Sequence, residues 1–237
     1  MEQIERINQL LDEVQQKLDW LVDRINGLLS HVPFWLEWAV DKFRDLWDWA
    51  MEKVGQFWDK VAEFVSYLGQ PWDLNDAKER WIQLGSPVAA RAFESDKSQS
   101  SVDGAWKGRA ADQYANALTA QKAALSSVQS KLTNPMGPAL GSLASALYIF
   151  FGVVIGAIVA LIVAHGVATG EAVSIIGLPA VPPTLATAYG ACIVLLIGAI
   201  TNLNNAASNS NTVFLQVAAE TADYGSANWP PAVISAT

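Results

Sequence analysis

The longest stretch without charge lies between Lys131 and Glu171 and spans 39 consecutive residues. Within it, residues 143–164 have the sequence LASALYIFFGVVIGAIVALIVA, in which 13 of 22 residues are Leu, Ile, Val or Phe. As a helix these 22 residues extend about 33 Å, which is enough to cross a bilayer core of roughly 30 Å. Each such side chain near mid-membrane favours insertion by roughly 0.3–0.6 kcal/mol. The sequence therefore predicts a helix that can enter a membrane.

A second uncharged run covers residues 185–203 but holds only eight Leu, Ile, Val or Phe residues. Glycine, threonine and asparagine dilute it, so its insertion alone is marginal and it needs the first run as a partner. The intervening residues 165–184 hold three glycines and three prolines, too many for one continuous helix. We expect an apolar helical hairpin over residues 134–206, with Glu171 near its tip.

Glycine spacing predicts where helices of this hairpin meet. Gly152 and Gly156 lie one turn apart on one face of the first apolar helix, the small-xxx-small spacing that permits close helix approach in membranes. An alternative stays open, because two helices that are apolar all round can also form the buried centre of a water-soluble bundle when other helices cover them.

Charge is unevenly distributed. Residues 1–70 hold 13 acids and 7 bases, residues 71–133 hold 7 and 8, and residues 134–237 hold 3 acids and no base. Because phosphate binding needs clustered Lys and Arg, nucleic acid is not an expected partner. The acidic, amphipathic N-terminus lacks a basic segment followed by an apolar one, so we expect membrane association or secretion by a non-Sec route.

Two amphipathic heptad helices are predicted in residues 1–70. Apolar residues alternate three and four positions apart, which predicts a buried seam on each helix, and the pattern is interrupted near residues 29–33. The first seam consists of Ile4, Ile7, Leu11, Val14, Leu18, Leu21, Ile25 and Leu28. The second consists of Leu36, Val40, Phe43, Trp47, Ala50, Val54, Phe57, Val61, Phe64 and Leu68.

Tryptophans off the second seam widen its apolar face. They are Trp35, Trp38, Trp49 and Trp58. Two interpretations are open: the rings pack on other helices of the same bundle, or they lie at a membrane interface or against a partner. The neighbouring carboxylates argue against an anionic lipid surface.

Residues 71–133 predict a helix–turn–helix. Pro71 opens the first helix, Gly85-Ser86-Pro87 interrupts it, and a tight turn precedes the second helix. In that turn Gly108 allows a close backbone turn. Trp106 is expected to lie across the open end of the hairpin and close its core.

The segment SVDGAWKGRAADQYANAL resembles the turn and second helix of the WXG family, small helical hairpins exported by type VII secretion systems. Trp106 and Gly108 match the Trp-x-Gly motif, and Asp103 lies three residues before the tryptophan. The resemblance covers about residues 72–133 and implies a link to type VII secretion in actinobacteria and other Gram-positive bacteria. The family's export signal, a tyrosine followed four residues later by Asp or Glu, is absent; a partner could supply it.

Catalytic chemistry is not predicted. His31 lies at a helix break, and Cys192, the single cysteine, lies inside the second apolar run. His165 borders an apolar helix; a role in sensing pH is open, but we interpret it as a satisfied cap residue. The sequence shows no metal-ligand spacing, phosphate loop or acid pair. Residues 207–237 predict a mild helix and a tail. We therefore expect no enzyme, no cofactor and no small-molecule substrate.

The predicted fold class is all-α, an elongated helical bundle. The leading hypothesis is a type VII-associated protein whose hairpin inserts into a membrane as an effector or pore component, with membrane lipid and a helical protein partner or a homo-oligomer as partners. A second hypothesis is a soluble structural or chaperone-like partner of a multiprotein complex, in which residues 1–70 cover the apolar pair. A resident membrane protein is the third.

Overall fold

A computed structural model describes residues 2–33, 37–65, 69–96, 106–220 and 229–230. Within those ranges the chain is helical and contains no strand, so the predicted all-α class is confirmed. The helices are α1 (Glu2–Leu29), α2 (Glu37–Val65), α3 (Pro71–Glu94), α4 (Arg109–Ser127), α5 (Asn134–Glu171) and α6 (Val181–Ala219). A π-helical segment, Val128–Thr133, joins α4 to α5, and a short 3-10 helix, Leu178–Ala180, precedes α6.

The chain forms two compact units, each assembled from separated segments. The first unit comprises Met1–Gly69 and Leu147–Asn204, and the second comprises Gln70–Ala146 and Asn205–Thr237. This grouping differs from the four consecutive segments predicted from the sequence. No helix boundary falls at residues 206 and 207, because α6 continues to Ala219.

The first unit buries the two predicted heptad seams. On α1 the residues from Ile7 to Ile25 in the seam are buried, while the charged residues between them face outward. On α2 Val40, Phe43, Ala50, Val54, Phe57 and Val61 are buried. Amphipathic helices with such narrow buried stripes are stable when the stripe packs on another apolar surface.

The apolar hairpin has a shorter turn than its glycines and prolines predicted. Helix α5 continues through His165 and Gly170 to Glu171, and α6 begins at Val181. Pro182 and Pro183 are accommodated because they lie in the first turn of α6, where backbone N–H groups have no partner within the helix. As predicted, residues 165–184 therefore do not form one continuous helix, but only residues 172–180 separate α5 from α6, fewer than the twenty expected.

The second unit contains an uninterrupted α3. The predicted break at Gly85-Ser86-Pro87 is wrong, because Pro87 lies inside the helix. Gly85 packs so closely on the π-helical segment that a Cβ on it would lie 2.8 Å from Thr133 Oγ1. Tertiary packing of this kind offsets the roughly 3 kcal/mol that a proline costs inside a helix.

Contacts along α3 show that it runs antiparallel to the start of α5. Following Gly85 against Thr133, Ile82 meets Gly137 and Lys78 meets Gly141. The π-helical segment sits at this crossing, where the Asn134 N–H bonds the Gln129 carbonyl five residues back.

Hydrogen bonds and ion pairs link the remaining parts of the second unit. Ser210 Oγ donates to the Ala139 carbonyl at 3.0 Å, and Lys131 Nζ lies 2.9 Å from Glu220 Oε2. Lys122 pairs with Asp96. These bonds tie the end of α6 to α5, and the end of α3 to α4.

Candidate membrane-insertion hairpin

One face of the apolar hairpin is covered by α1 and α2. Phe57 of α2 packs edge-on against Tyr189 of α6, with ring centroids 5.3 Å apart, and α2 also contacts the 3-10 helix. Both rings are fully buried. The other large, fully buried side chains of the hairpin are Phe150, Phe151, Ile158, Leu161, Leu178, Leu185 and Leu196.

Helix α1 runs alongside α5 in the same direction. Arg6 and its neighbours line a surface groove with Ile155, and Lys17 and its neighbours line another with Thr169. Both grooves have charged or amide side chains on the α1 side. Helix α1 thus places its apolar seam toward the interior and its charged face toward water.

The opposite face of α5 is open, apolar and uncharged. Seven of its exposed residues follow an alternating three- and four-residue spacing over six helical intervals, and we call them the open stripe. The open stripe consists of Ile149, Gly152, Gly156, Val159, Val163, Gly166 and Gly170. On α6, exposed Val194, Leu195 and Ile197 add further large apolar side chains.

The predicted packing pair, Gly152 and Gly156, lies within the open stripe. A Cβ atom built on either glycine has no neighbour within 4 Å apart from its own helix backbone. No described helix of this chain therefore packs on the pair. The surface is smooth and free for contact with lipid or another helix.

The hairpin tip carries one acid and two exposed apolar side chains. Glu171 is the last residue of α5, and its Oε1 accepts a hydrogen bond from Thr184 Oγ1 at 3.0 Å. Its Oε2 is buried and has no hydrogen-bond partner among the described residues. Val173 and Ile176 follow in the turn and are 66% and 75% exposed. The tip therefore presents two large apolar side chains on its surface.

A polar cluster inside the hairpin was missed by sequence analysis. His165 is 1% exposed, with Nδ1 2.8 Å from the Leu161 carbonyl oxygen and Nε2 3.3 Å from the Tyr189 hydroxyl. Cys192 donates to the Ala157 carbonyl at 3.2 Å. The cap interpretation of His165 is wrong because α5 extends six residues beyond it. The 24-residue separation from Tyr189 gave no signal in the sequence.

The tryptophans off the α2 seam have different surroundings. Trp38 and Trp49 are exposed, whereas Trp58 is half-buried and lies edge-on to Phe57 at 5.3 Å. Trp35 lies outside the described residues. The open rings of Trp38 and Trp49 do not serve as bundle core.

Trp106 does not close the core of its hairpin. It is 46% exposed and its ring centroid lies 5.9 Å from that of Tyr114 on α4. The prediction of a core tryptophan is wrong because the ring rests on one side of α4. Gly108, directly before α4, has φ of 107°, a conformation that favours glycine. Asp103 lies outside the described residues.

Among the described residues no group of three or more His, Cys, Asp or Glu side chains is placed to hold a metal ion. Two helical segments, Arg109–Glu171 and Leu178–Ala219, are long and apolar enough to cross a membrane. A buried core helix can pass the same test, but here only 44% and 39% of the most apolar windows are buried. The hairpin is therefore half covered and half open.

Comparison of the chain with protein-family models, with curated proteins and with solved structures finds no match.

Proposed function

We propose that this chain is a non-enzymatic protein that inserts its apolar hairpin, α5 and α6, into a membrane. The observation that carries the proposal is the uncharged open face. Apart from Glu171 at the tip, residues 132–219 contain no Asp, Glu, Lys or Arg. A protein–protein interface normally has a polar rim, whereas contact with acyl chains requires none.

In this proposal α1 and α2 act as an internal cover. They shield one face of the hairpin in water and keep their own charged faces outward. The open stripe and the exposed tip residues Val173 and Ile176 make the first contact with lipid. Large exposed apolar patches on soluble proteins commonly mark such interaction sites. Insertion then replaces the α1 and α2 contacts with acyl chains.

Within the membrane, the open stripe provides a surface for self-association. Four of its seven residues are glycines, and small residues let helix backbones approach closely where there is no hydrophobic driving force between helices. We propose that inserted hairpins associate through this stripe into an effector or pore complex.

We propose export associated with type VII secretion as the route to the target membrane. What supports this is the resemblance of residues 72–133 to WXG hairpins, together with the packing of α3 against α4; Trp106 and Gly108 lie directly before α4. A co-exported helical partner would supply the missing tyrosine signal.

The test uses the full chain, uncharged vesicles and the variant Val159→Asp. Val159 lies on the open stripe, so the soluble fold tolerates the charge, whereas an Asp near the centre of an inserted helix costs roughly 2.5–3.5 kcal/mol. We expect vesicle binding by flotation to fall about 100-fold, with parallel loss of dye leakage. The matched control is Asn26→Asp, which adds the same charge at an exposed site on α1.

Equal binding of both variants and wild type would reject insertion. The covered face of the hairpin favours a second candidate, a soluble structural protein whose open stripe is buried in a complex. In that case wild type neither binds vesicles nor releases dye, and Val159→Asp changes the sedimentation of the protein instead. Carbonate-resistant membrane association of natively expressed protein, without any soluble pool, would indicate a resident membrane protein.

A further inference from the structure

His165 is a buried imidazole whose hydrogen bonds fit the neutral ring. Nδ1 lies 2.8 Å from the Leu161 carbonyl oxygen, which can only accept, so Nδ1 carries the proton. Nε2 is then an acceptor and takes the hydrogen bond of the Tyr189 hydroxyl at 3.3 Å. The two rings also meet edge to face, with centroids 5.6 Å apart. This contact joins α5 to α6 at the place where Phe57 of α2 packs on Tyr189.

Burial lowers the pKa of His165, and it outweighs the Leu161 carbonyl, which among the described residues is the one group that favours a positive charge on the ring. From α1, the positive charge of Lys17 also disfavours protonation of the ring and lowers the pKa of His165. From α6 the ring meets Tyr189, beside which lies the neutral thiol of Cys192. From α2, the apolar Phe57 packs on Tyr189. On α5 itself, Glu171 lies six residues further along the helix and bonds Thr184 through Oε1. A buried charge without a counter-charge is strongly unfavourable.

We propose that His165 is an acid-sensitive lock that holds α1 and α2 against the hairpin near neutral pH and releases them on acidification. The neutral ring completes the contact between α5 and α6. The protonated ring keeps the bond from Nδ1 to the Leu161 carbonyl, but Nε2 then donates, so the Tyr189 hydroxyl can no longer donate to it and must turn to accept. The protonated ring gains water only when the helices separate.

The direction in which pH changes the stability of the closed state follows from proton uptake. Above about pH 6.5, the ordinary pKa of a water-exposed imidazole, both the closed and the open state hold a neutral ring. Below that pH the open state binds a proton that the closed core excludes, so closed-state stability falls as pH falls. The ratio of open to closed protein rises by up to about tenfold for each pH unit.

The chain provides its own control because it has two histidines. His31 is exposed at the end of α1, with Nδ1 bonded to Ser30 and Gly27. The experiment follows binding of a hydrophobic dye to full-length protein from pH 8 to 4.5 without lipid. Wild type and His31→Gln should show the same acid transition. His165→Gln, which can bond both neighbours without titrating, should move it at least about one pH unit toward acid.

Lys17→Gln is a second variant at a half-exposed site. Removing the like charge makes protonation of the closed core less unfavourable, so its transition should also move toward acid, by less than that of His165→Gln. The control is Lys42→Gln on the exposed face of α2. If His165→Gln keeps the wild-type transition, the lock is rejected. If that variant binds dye already at pH 8, Lys17→Gln decides: an acid shift supports the lock, and no shift rejects it.

Membrane insertion of α5 and α6 on acidification rests on the proposed function. The acid-driven release of α1 and α2 from the hairpin does not. Vesicle flotation at the same pH values separates them. An acid transition without vesicle binding at any pH would reject membrane insertion and leave the lock intact. Vesicle binding that is equally strong at pH 8 and pH 5 in wild type and His165→Gln would reject the lock and leave insertion intact.

Discussion

Helix α5 carries the same glycine spacing three times, and the first two pairs lie in different surroundings. In its first part, Gly137 and Gly141 lie under α3, and a Cβ on them would be 3.1 Å from Ile82 Cγ1 and 3.2 Å from Lys78 Cδ. In its second part, Gly152 and Gly156 face open space. Small-xxx-small spacing therefore indicates that a helix can approach closely, but it does not say whether the partner is in the same chain.

The difference reflects what surrounds each pair. The first pair packs on α3, an amphipathic helix with charged residues such as Lys78, and such a helix is stable in contact with water. The second lies in a segment where every accessible side chain is uncharged, which suits acyl chains or another apolar helix. The first pair stabilises the folded monomer, and the second remains available for a partner.

Removing a principal contact of the cover should have the largest effect. Phe57 is fully buried against Tyr189, so Phe57→Ala should lower the free energy of unfolding of the first unit by about 3–5 kcal/mol. It should also raise vesicle binding at neutral pH, because α1 and α2 leave the hairpin more easily. Chemical denaturation and flotation measure both. Trp38→Ala, at an exposed site on the same helix, should change stability by less than about 0.5 kcal/mol.

Replacing each glycine pair by leucine should have opposite effects on stability in the two parts of α5. Leucine at both Gly137 and Gly141 forces α3 away and should destabilise the protein by about 1–3 kcal/mol for each site. Leucine at both Gly152 and Gly156 meets no neighbour and should stabilise the helix by up to about 1 kcal/mol for each site. Similar changes in thermal stability for the two double variants would contradict the comparison.

The second double variant also tests assembly in the membrane. If inserted helices meet through the open stripe, leucines at Gly152 and Gly156 should abolish dye leakage while vesicle binding stays equal or rises. Simple hydrophobic anchoring predicts that leakage and binding change together. The comparison of the two readouts therefore distinguishes a packed pore from an anchor.

The smallest effect is expected at Trp106. Because its half-exposed ring contacts Tyr114 from one side, Trp106→Ala should lower stability by about 0.5–1.5 kcal/mol, the size of an aromatic pair contribution. Tyr114→Ala should have a similar effect, and the double variant should lose less than the sum of the two. A loss of several kcal/mol would mean that Trp106 is a core residue after all.

Periodic patterns were reliable guides, whereas local breakers misplaced some boundaries. The α1 seam from Ile7 to Ile25 is buried as its spacing predicted, and so is the α2 seam from Val40 to Val61 except for the half-buried Trp47, because an amphipathic helix has one face that can leave water. The break predicted at Gly85-Ser86-Pro87 failed, whereas residues 165–184 do contain a break, between Glu171 and Val181, that is shorter than predicted. Gly85 packs closely on Thr133, and α3 continues past Pro87. Pro182 and Pro183 lie in the first turn of α6, where proline does not interrupt helical hydrogen bonds.

By itself, the sequence determined the helical class, the two seams and the uncharged hairpin, because each follows from a period or a composition within one segment. Only the tertiary structure decided which face of the hairpin is covered, which glycine pair is occupied and where His165 meets Tyr189. These depend on contacts between segments far apart in the chain. Helical periodicity fixes which side chains share a face, but the neighbour that each face meets is set by the packing of all the helices together.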